Sequence, residues 1–435
     1  MKKITYVIPV FPVVSETFIT TEIKALTECG HDIQPVCFER NSDPCQVGDE
    51  AIAAAMVDIR NVNVLSLMSL ITIVFINFFH SGWKALKFSF DQQGIRPRSL
   101  LLQACKLAYL TRKHGSDHIH AHFAQCSAAT AIVAARLLGI SVSFTSHGSD
   151  VYKAPCDLQL KLQNANFSIA VCKRMKKDFY ELTPTPQVHI IPCGVDVSFF
   201  QARSSFKESS KNGVEEKSKK FIFLGRLAQT KGILHLILAV AKLPIELRPS
   251  IDIAGDGYLR EEAVAMVNTH GVADSFTFLG EVDKSWVQQN CSNYAAMISP
   301  FCKAGDGIMD TGPLVIKEAL ALKLPLLTTD IMATGEFVDS SCAFISNSSD
   351  PEDLARTLLK LLMSLNFISV NSDTVQSLQK ILGPRVNELE HIIQHSNPIE
   401  IIEEKVEQGY SKVLNQLSSK KQGLALSKIF QNCQV

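Results

Sequence analysis

A predicted helix start with free backbone amides is the feature of this sequence most suited to chemistry. Within residues 299–330, Gly312 allows a backbone turn and Pro313 suits a first helical position, where its missing N–H costs nothing. The amides of Leu314 and Val315 would then point outwards at the positive end of the helix dipole. Such an end binds anions, and phosphate is the commonest of them.

Two acids flank this helix start. Glu318 lies about one turn further in, where a carboxylate can accept hydrogen bonds from ribose hydroxyls while the amides hold phosphate. Asp310 lies eight residues earlier, on the preceding loop, within reach of whatever the phosphate carries. A second interpretation stays open, because Pro begins many helices and the two acids could form an ordinary surface pair.

Residues 221–232 (FIFLGRLAQTKG) place two cations near another predicted helix start. The pattern predicts a strand that ends at Gly225, and then a helix with Thr230 as N-cap. Arg226 and Lys231 are unfavourable near a helix N-terminus unless an anion neutralises them. Arg can bind a diphosphate bidentately and Lys can add a point charge, so this pair would stabilise a departing diphosphate. A solvated surface pair is the alternative.

Residues 251–260 (IDIAGDGYLR) are a strand followed by Gly-x-Gly. A dinucleotide fingerprint needs a third glycine where Arg260 stands, so the segment is only a weak indication of NAD binding. The Gly255 turn could still line a ligand site.

The first half offers polar side chains at predicted strand ends. Ser15 and Thr17 follow the first strand, and Ser15 could equally be a helix N-cap. His147 and Asp150 follow a later strand across a Gly-Ser turn, where both could contact a bound sugar.

His120 and His122 share a strand at period two, so both face the same side. A metal pair is conceivable, but no third ligand stands nearby in sequence, and a packed or hydrogen-bonded role is favoured. The twelve cysteines form no CxxC pair, which argues against a structural metal and for reduced thiols. We therefore expect no bound metal.

Positioning these residues requires parallel sheets, because short apolar runs alternate with helical patterns along the whole chain. The predicted strands are 4–9, 33–38, 118–122, 142–145, 167–171 and 188–191, then 221–224, 251–254, 276–279, 295–298, 324–328 and 343–345. The predicted domains are a Rossmann-like domain at 1–200, a linker at 201–220, a second such domain at 221–385 and a helical tail at 386–435 that docks on a lobe. Two facing doubly wound sheets would enclose a cleft at their strand ends.

The composition of the chain excludes several classes of protein. With 435 residues, 46% of them hydrophobic, the chain is long and apolar enough for two or three domains. Lys plus Arg number 43 and Asp plus Glu also number 43, so no overall charge attracts nucleic acid. Residues 62–79 carry no charge, but a slanted polar stripe favours a core or membrane-surface helix over a span. The mean hydropathy of +0.12 leans towards the membrane surface.

Taken together, the motifs resemble those of the retaining GT-B glycosyltransferases of family 4, and most closely the branch for colanic acid and related exopolysaccharides. The matching segments are FPVVSETF, HIHAHFA, FTSHGSDVY, IPCGVDVSFF, FLGRLAQTKG, AGDG and GPLVIKEALALKLP. The first loop departs from the pattern, because it lacks a glycine pair that many relatives carry.

The resemblance implies roles for residues by position. Arg226, Lys231 and the amides of Leu314 and Val315 would bind the donor diphosphate, and Glu318 would hold the ribose. Asp310 stands where the family usually has a glutamate, and its shorter side chain puts its reach to the sugar in question. His147 matches the histidine beside the donor sugar, and the loop ending at Val282 matches the one whose backbone reads the base.

The implied reaction transfers a hexose, with retention, from a UDP- or GDP-sugar to a saccharide or polyprenyl-diphosphate-linked oligosaccharide. The nucleotide sugar is a co-substrate, and neither a cofactor nor a metal is expected. The implied location is cytoplasmic, with peripheral association at the inner membrane, and the implied pathway is exopolysaccharide, capsule or lipopolysaccharide synthesis. A nucleotide-sugar epimerase of similar shape and a non-catalytic scaffold of a polysaccharide assembly complex remain alternatives.

Overall fold

The computed structural model describes residues 1–63, 82–184, 186–200, 219–368 and 398–433. Most of the apolar segment 62–79 and of the linker 201–220, and the predicted boundary at 385, lie outside these residues. The chain divides into two compact units. Unit 1 comprises Met1–Gly194 together with Ser419–Val435, and unit 2 comprises Val195–Ser418.

Unit 1 contains a seven-stranded parallel sheet in the order β3-β2-β1-β4-β5-β6-β7. Its strands are β1 (Lys3–Phe11), β2 (Asp32–Arg40), β3 (Val57–Asp58), β4 (His118–His122), β5 (Ser141–Ser146), β6 (Phe167–Ala170) and β7 (Val188–Ile190). The β4 and β5 strands are buried along their whole length, as expected where helices cover both faces of a parallel sheet. The two-residue β3 was not predicted, because it is too short to show a pattern.

The helices of unit 1 within the described ranges come from most of its length and from the end of the chain. They are α1 (Thr17–Glu28), α2 (Glu50–Ala55), α3 (Trp83–Asp91), α4 (Pro97–His114), α5 (Cys126–Leu138), α6 (Leu158–Asn164), α7 (Lys173–Leu182) and α15 (Ser419–Asn432). Helix α5 is buried almost all round and is rich in alanine, which lets it pack closely on the sheet.

Unit 2 contains a six-stranded parallel sheet in the order β10-β9-β8-β11-β12-β13. Its strands are β8 (Lys220–Leu224), β9 (Ser250–Ala254), β10 (Phe276–Gly280), β11 (Ala296–Ser299), β12 (Leu326–Asp330) and β13 (Phe344–Asn347). Its helices are α8 (Ile233–Ala241), α9 (Arg260–Thr269), α10 (Lys284–Asn290), α11 (Leu314–Ala321), α12 (Thr334–Phe337), α13 (Pro351–Ser364) and α14 (Pro398–Lys412). Each sheet therefore has Rossmann-like strand order, with a switch point at its first strand.

The predicted tail at 386–435 divides between the units. Helix α14 belongs to unit 2, where Ile402 and Val406 join the main hydrophobic core. Helix α15 belongs to unit 1, where Leu426 and Phe430 are fully buried beside α1 and the sheet. The amphipathic spacing of α14 was visible in the sequence, whereas the destination of α15 depends on tertiary contacts.

Among the helices in the described ranges, none combines the length and the hydropathy that crossing a bilayer requires.

Candidate functional site

Most of the predicted site residues of unit 2 lie in the connections that follow the carboxyl ends of β8 and β11. These two strands are neighbours in the sheet and flank its switch point, where strand order reverses. Ligands of doubly wound sheets bind at this place, because the two following connections diverge and leave a crevice.

Lys231 reaches the site because its loop packs against the loop after β11. Gly232 has a φ of 73°, and a Cβ there would lie 1.8 Å from the Pro300 carbonyl oxygen, so only glycine allows the approach. The Cys302 amide also donates to the Thr230 carbonyl at 3.0 Å. The prediction that Thr230 caps the helix was wrong, since α8 begins at Ile233 and a short 3₁₀ turn holds Lys231 before it.

The Lys231 ammonium donates to Asp310 Oδ2 at 2.6 Å and lies 4.9 Å from the centre of the Phe301 ring. Asp310 Oδ1 also accepts from the Gly312 amide at 3.2 Å. Burial opposes ionisation of Asp310, but the Lys231 ammonium outweighs it and the pKa of this carboxyl is lowered. The structure thus brings the predicted cation and the predicted acid together at the start of α11.

Glu318 is half-buried on the first turns of α11, and its carboxylate makes no hydrogen bond with any described residue. Burial raises its pKa to about 6, while Lys284, Lys231 and Lys317 act in the opposite direction. No side chain caps the N-terminus of α11, where Pro313 precedes Leu314 and Val315. This helix end therefore has an N-terminus without a side-chain cap, and a carboxylate one turn further along the helix that can accept hydrogen bonds from hydroxyl groups.

Arg226 is exposed on the same loop as Lys231. That loop is joined to the one after β9 by backbone hydrogen bonds, among them Leu227 N–H to the Asp256 carbonyl at 2.8 Å. Gly255 belongs to this contact, since a Cβ on it would lie 2.0 Å from the Gly225 carbonyl oxygen. The glycines of the Gly-x-Gly segment therefore let two loops approach each other, and this accounts for them without a dinucleotide.

Val282 lies half-buried between β10 and α10. The neighbouring Asp283 caps α10 by accepting from the Trp286 amide at 2.7 Å, which fixes the end of this loop.

In unit 1, Asp150 differs from its predicted role of contacting a sugar. It is fully buried, and its carboxylate accepts from the amides of Ala124 at 2.7 Å, His147 at 3.0 Å and Gly148 at 2.9 Å. Both oxygens are therefore committed to backbone amides. Asp150 fixes the loop that carries His147, and the sugar-contact prediction for it is corrected accordingly.

Ser15 and Thr17 lie where β1 leads into α1. The residue at the N-cap of α1 is Glu16, which makes no side-chain cap bond, so Ser15 is not the cap. Ser15 is exposed and Thr17 is half-buried.

The strand histidines of unit 1 belong to a buried polar network that extends beyond the predicted pair. His118, His120 and His122 are all fully buried, and the first two bind the hydroxyls of Ser141, Ser143 and Thr145 on β5. His122 Nδ1 lies 2.8 Å from His147 Nε2, and His122 Nε2 lies 3.3 Å from Glu22 Oε1. These contacts agree with the packed, hydrogen-bonded role predicted for the strand histidines. Glu22 was missed, because helix α1 is far from β4 in the sequence.

Two family models match the chain in sequence. "Glycosyltransferase Family 4" matches residues 15–199, and "Glycosyl transferases group 1" matches residues 204–366.

Individual proteins match parts of the chain at low sequence identity. The chain is 27% identical over 224 residues to TuaC of Bacillus subtilis, provisionally named a teichuronic acid biosynthesis glycosyltransferase, which covers 49% of this chain and 53% of that protein. It is 22% identical over 272 residues to N-acetyl-alpha-D-glucosaminyl L-malate synthase of Bacillus anthracis, which covers 60% and 69%. The chain thus spans about half of the length of TuaC and about two thirds of the synthase.

Among solved structures, Anabaena Alr3699/HepE in complex with UDP-glucose superposes with a TM-score of 0.65 at 13% identity over 100% of both chains. At this identity the likeness shows the fold. The two parallel sheets, the two matching family models and this shared architecture place the chain among the GT-B glycosyltransferases, with a family 4 N-terminal half and a group 1 C-terminal half.

Proposed function

We propose that the protein is a retaining hexosyltransferase that uses a UDP- or GDP-sugar donor and a saccharide acceptor. The observation that carries the proposal is the meeting of Lys231, Asp310 and the uncapped start of α11 at the switch point of unit 2. A cation beside a helix N-terminus is suited to a diphosphate. The crystal of Anabaena HepE holds UDP-glucose, which makes a UDP-sugar the first donor to test.

In the proposed reaction, the bond between the sugar anomeric carbon and the diphosphate oxygen breaks, and its electron pair goes to the diphosphate. Lys231 and Arg226 would neutralise the charge that grows on this leaving group. The acceptor hydroxyl oxygen then forms the new bond on the same face of the sugar, and its proton passes to the departing diphosphate. The products are the glycosylated acceptor and a nucleoside diphosphate. No metal is needed for this step.

Glu318 would accept hydrogen bonds from the ribose, Asp310 and His147 would stand near the transferred sugar, and the Val282 loop would meet the base. Ser15 and Thr17 are proposed to contact the donor from unit 1. These roles rest on the family resemblance together with the placements described above.

The acceptor is proposed to be a polyprenyl-diphosphate-linked oligosaccharide at the cytoplasmic face of the inner membrane, in exopolysaccharide, capsule or lipopolysaccharide synthesis. Helix α3 supports contact with a membrane surface. Trp83 is 66% exposed and Phe90 is 69% exposed, and Lys87 lies between them on the same helix face.

The test is transfer by purified wild type, Arg226→Ala and Glu318→Ala with a panel of UDP- and GDP-sugars. We expect both variants to lose most transfer and to keep a melting temperature near that of wild type. Sugar isomerisation by wild type without acceptor would indicate an epimerase instead. A thermal shift with nucleoside diphosphates but no transfer to any acceptor would favour the scaffold alternative.

A further inference from the structure

Three ligand-type side chains of unit 1 converge in its interior. Glu22, His120 and His122 each offer one atom within 4.8 Å of the others, and all three residues are buried. Glu22 Oε1 lies 3.3 Å from His122 Nε2 and 3.9 Å from His120 Nε2. Ligand atoms of a tetrahedral Zn²⁺ with bonds of about 2.0–2.1 Å lie roughly 3.4 Å apart, so these spacings suit one ion.

Among the described residues, no Lys or Arg pairs with Glu22. Its side chain is 2% exposed, and the groups within 4 Å that could pair with it are the two imidazoles. Buried charges in proteins are paired or coordinate metals, because an uncompensated carboxylate is costly in a low dielectric.

Outer contacts already orient the three groups as they do around protein-bound metals. His120 Nδ1 lies 2.7 Å from Ser143 Oγ, and His122 Nδ1 lies 2.8 Å from His147 Nε2. Gln422 donates to Glu22 Oε2 at 2.5 Å. When Nδ1 donates the hydrogen bond in such a contact, Nε2 carries the lone pair of the ring, and a metal can bind it in place of its hydroxyl partner.

Two hydroxyls contact the same Nε2 atoms. Thr145 Oγ1 lies 3.0 Å from His120 Nε2, and the Tyr6 hydroxyl lies 2.9 Å from His122 Nε2 and hydrogen-bonds Glu22. These neutral groups can satisfy hydrogen bonds but cannot compensate the carboxylate charge.

We propose that unit 1 binds one divalent transition-metal ion, best matched by Zn²⁺, through Glu22, His120 and His122. Two imidazoles and a carboxylate form a ligand set that zinc commonly takes. The ion would tie β4 to α1 and, through Gln422, to α15. The site lies in unit 1, and its test measures metal content, so that test does not depend on the proposed transfer reaction.

This proposal replaces our expectation from the sequence that no metal is bound. That expectation rested on the lack of a third ligand near the strand histidines in the sequence, and the fold supplies one from α1.

The test is the metal content of the full chain, purified without a histidine tag and measured by mass spectrometry. We expect about one zinc per wild-type chain, and less than about 0.2 in Glu22→Gln and His122→Asn. Two matched controls should keep the ion. The first control is His118→Asn, because His118 lies on the same buried face of β4 but outside the cluster. The second is Glu28→Gln, because Glu28 lies on the same helix as Glu22.

A second measurement does not depend on the variants folding. Dialysis of wild type against a chelator should lower its melting temperature, and added Zn²⁺ should restore it. The proposal would be overturned if folded wild type held less than about 0.1 equivalent of transition metal and if added Zn²⁺ left its melting temperature unchanged. A Glu22→Gln variant that retains the wild-type zinc content would also overturn it, as would a bound ion that proves to be Mg²⁺ or Ca²⁺.

Discussion

Lys231 and Asp310 form an ion pair at the proposed donor site. Because the ammonium donates to the carboxylate at 2.6 Å, a diphosphate must compete with Asp310 for it. We expect Asp310→Asn to tighten binding of a nucleoside diphosphate about two- to fivefold, since a partly exposed ion pair is worth about 0.2–1 kcal/mol. Isothermal titration calorimetry with UDP and GDP measures this change.

Asp306→Asn is the matched control, because Asp306 is exposed on the same loop and accepts a hydrogen bond from the nearby Ile308 amide at 3.1 Å. Weaker binding by Asp310→Asn than by this control would show that the carboxylate assists the site.

The raised pKa of Glu318 predicts a pH-dependent KM. Its carboxyl, with a pKa of about 6, is ionised at pH 7.5 and mostly protonated at pH 5. If ribose binding needs the ionised form, the KM for donor should rise about tenfold at one pH unit below the pKa. Glu318→Gln should show a raised KM that stays level over this range. An unchanged wild-type KM would argue against the ribose role.

The raised pKa of Glu318 affects stability in the opposite direction: it stabilises the fold at low pH, where we expect donor binding to weaken. A carboxyl whose folded pKa exceeds its ordinary value of 4.5 favours folding below that value, and this contribution is lost as the pH rises through 6. Glu318→Gln should therefore be at least as stable as wild type at pH 7.5, while its transfer activity falls.

At the scale of elements, the loops after β8 and β9 depend on a close backbone approach at Gly255. An alanine there would place its Cβ 2.0 Å from a carbonyl oxygen, so we expect Gly255→Ala to lose more than about 3 kcal/mol of unfolding free energy. Gly271→Ala is the control. Its φ is also positive, at 62°, but nothing lies within 4 Å, and it should cost about 1–2 kcal/mol. Equal losses in urea unfolding would contradict this account.

Helix α3 should bind anionic lipid. We expect the double variant Trp83→Ser, Phe90→Ser to lose most cosedimentation with phosphatidylglycerol vesicles and to keep its fold, because both side chains are exposed. Ile245→Ser, which removes an equally exposed apolar side chain from unit 2, should bind as wild type does. Equal binding by all three proteins would count against a membrane surface on α3.

The sequence predicts these elements well where the signal is local. Buried apolar runs marked the strands around Ile4, Ile119 and Phe221, because a central parallel strand needs apolar residues on both faces. The start of α8 was misplaced, because a close contact between Gly232 and Pro300 ends the preceding turn and no pattern in the sequence shows it. Two further contacts could not be predicted for the same reason. Only the tertiary structure shows that Glu22 lies beside the strand histidines and that Asp150 binds backbone amides.

At the scale of the whole molecule, unit 1 is completed by the last helix of the sequence. Phe430 and Leu426 are fully buried in its core. We expect Phe430→Ala to destabilise unit 1 by about 3–5 kcal/mol, the usual effect of a large cavity. Leu424→Ala, on the same helix but 52% exposed, should have little effect. Hydrogen exchange of the β1 and β4 amides reports the difference, and equal protection in both variants would contradict the packing described for α15.

That placement of α15 also constrains how the protein is made. The first strands and α1 leave the ribosome early, but α15, which packs on α1, follows only after all of Val195–Ser418 has been synthesised. Throughout that interval the Ile23 and Leu26 face of α1 lacks its partner helix, so the nascent N-terminal half is open to aggregation and chaperone binding. Maturation of the first-made half is therefore coupled to synthesis of Ser419–Asn432, and a premature stop anywhere in unit 2 leaves both halves defective.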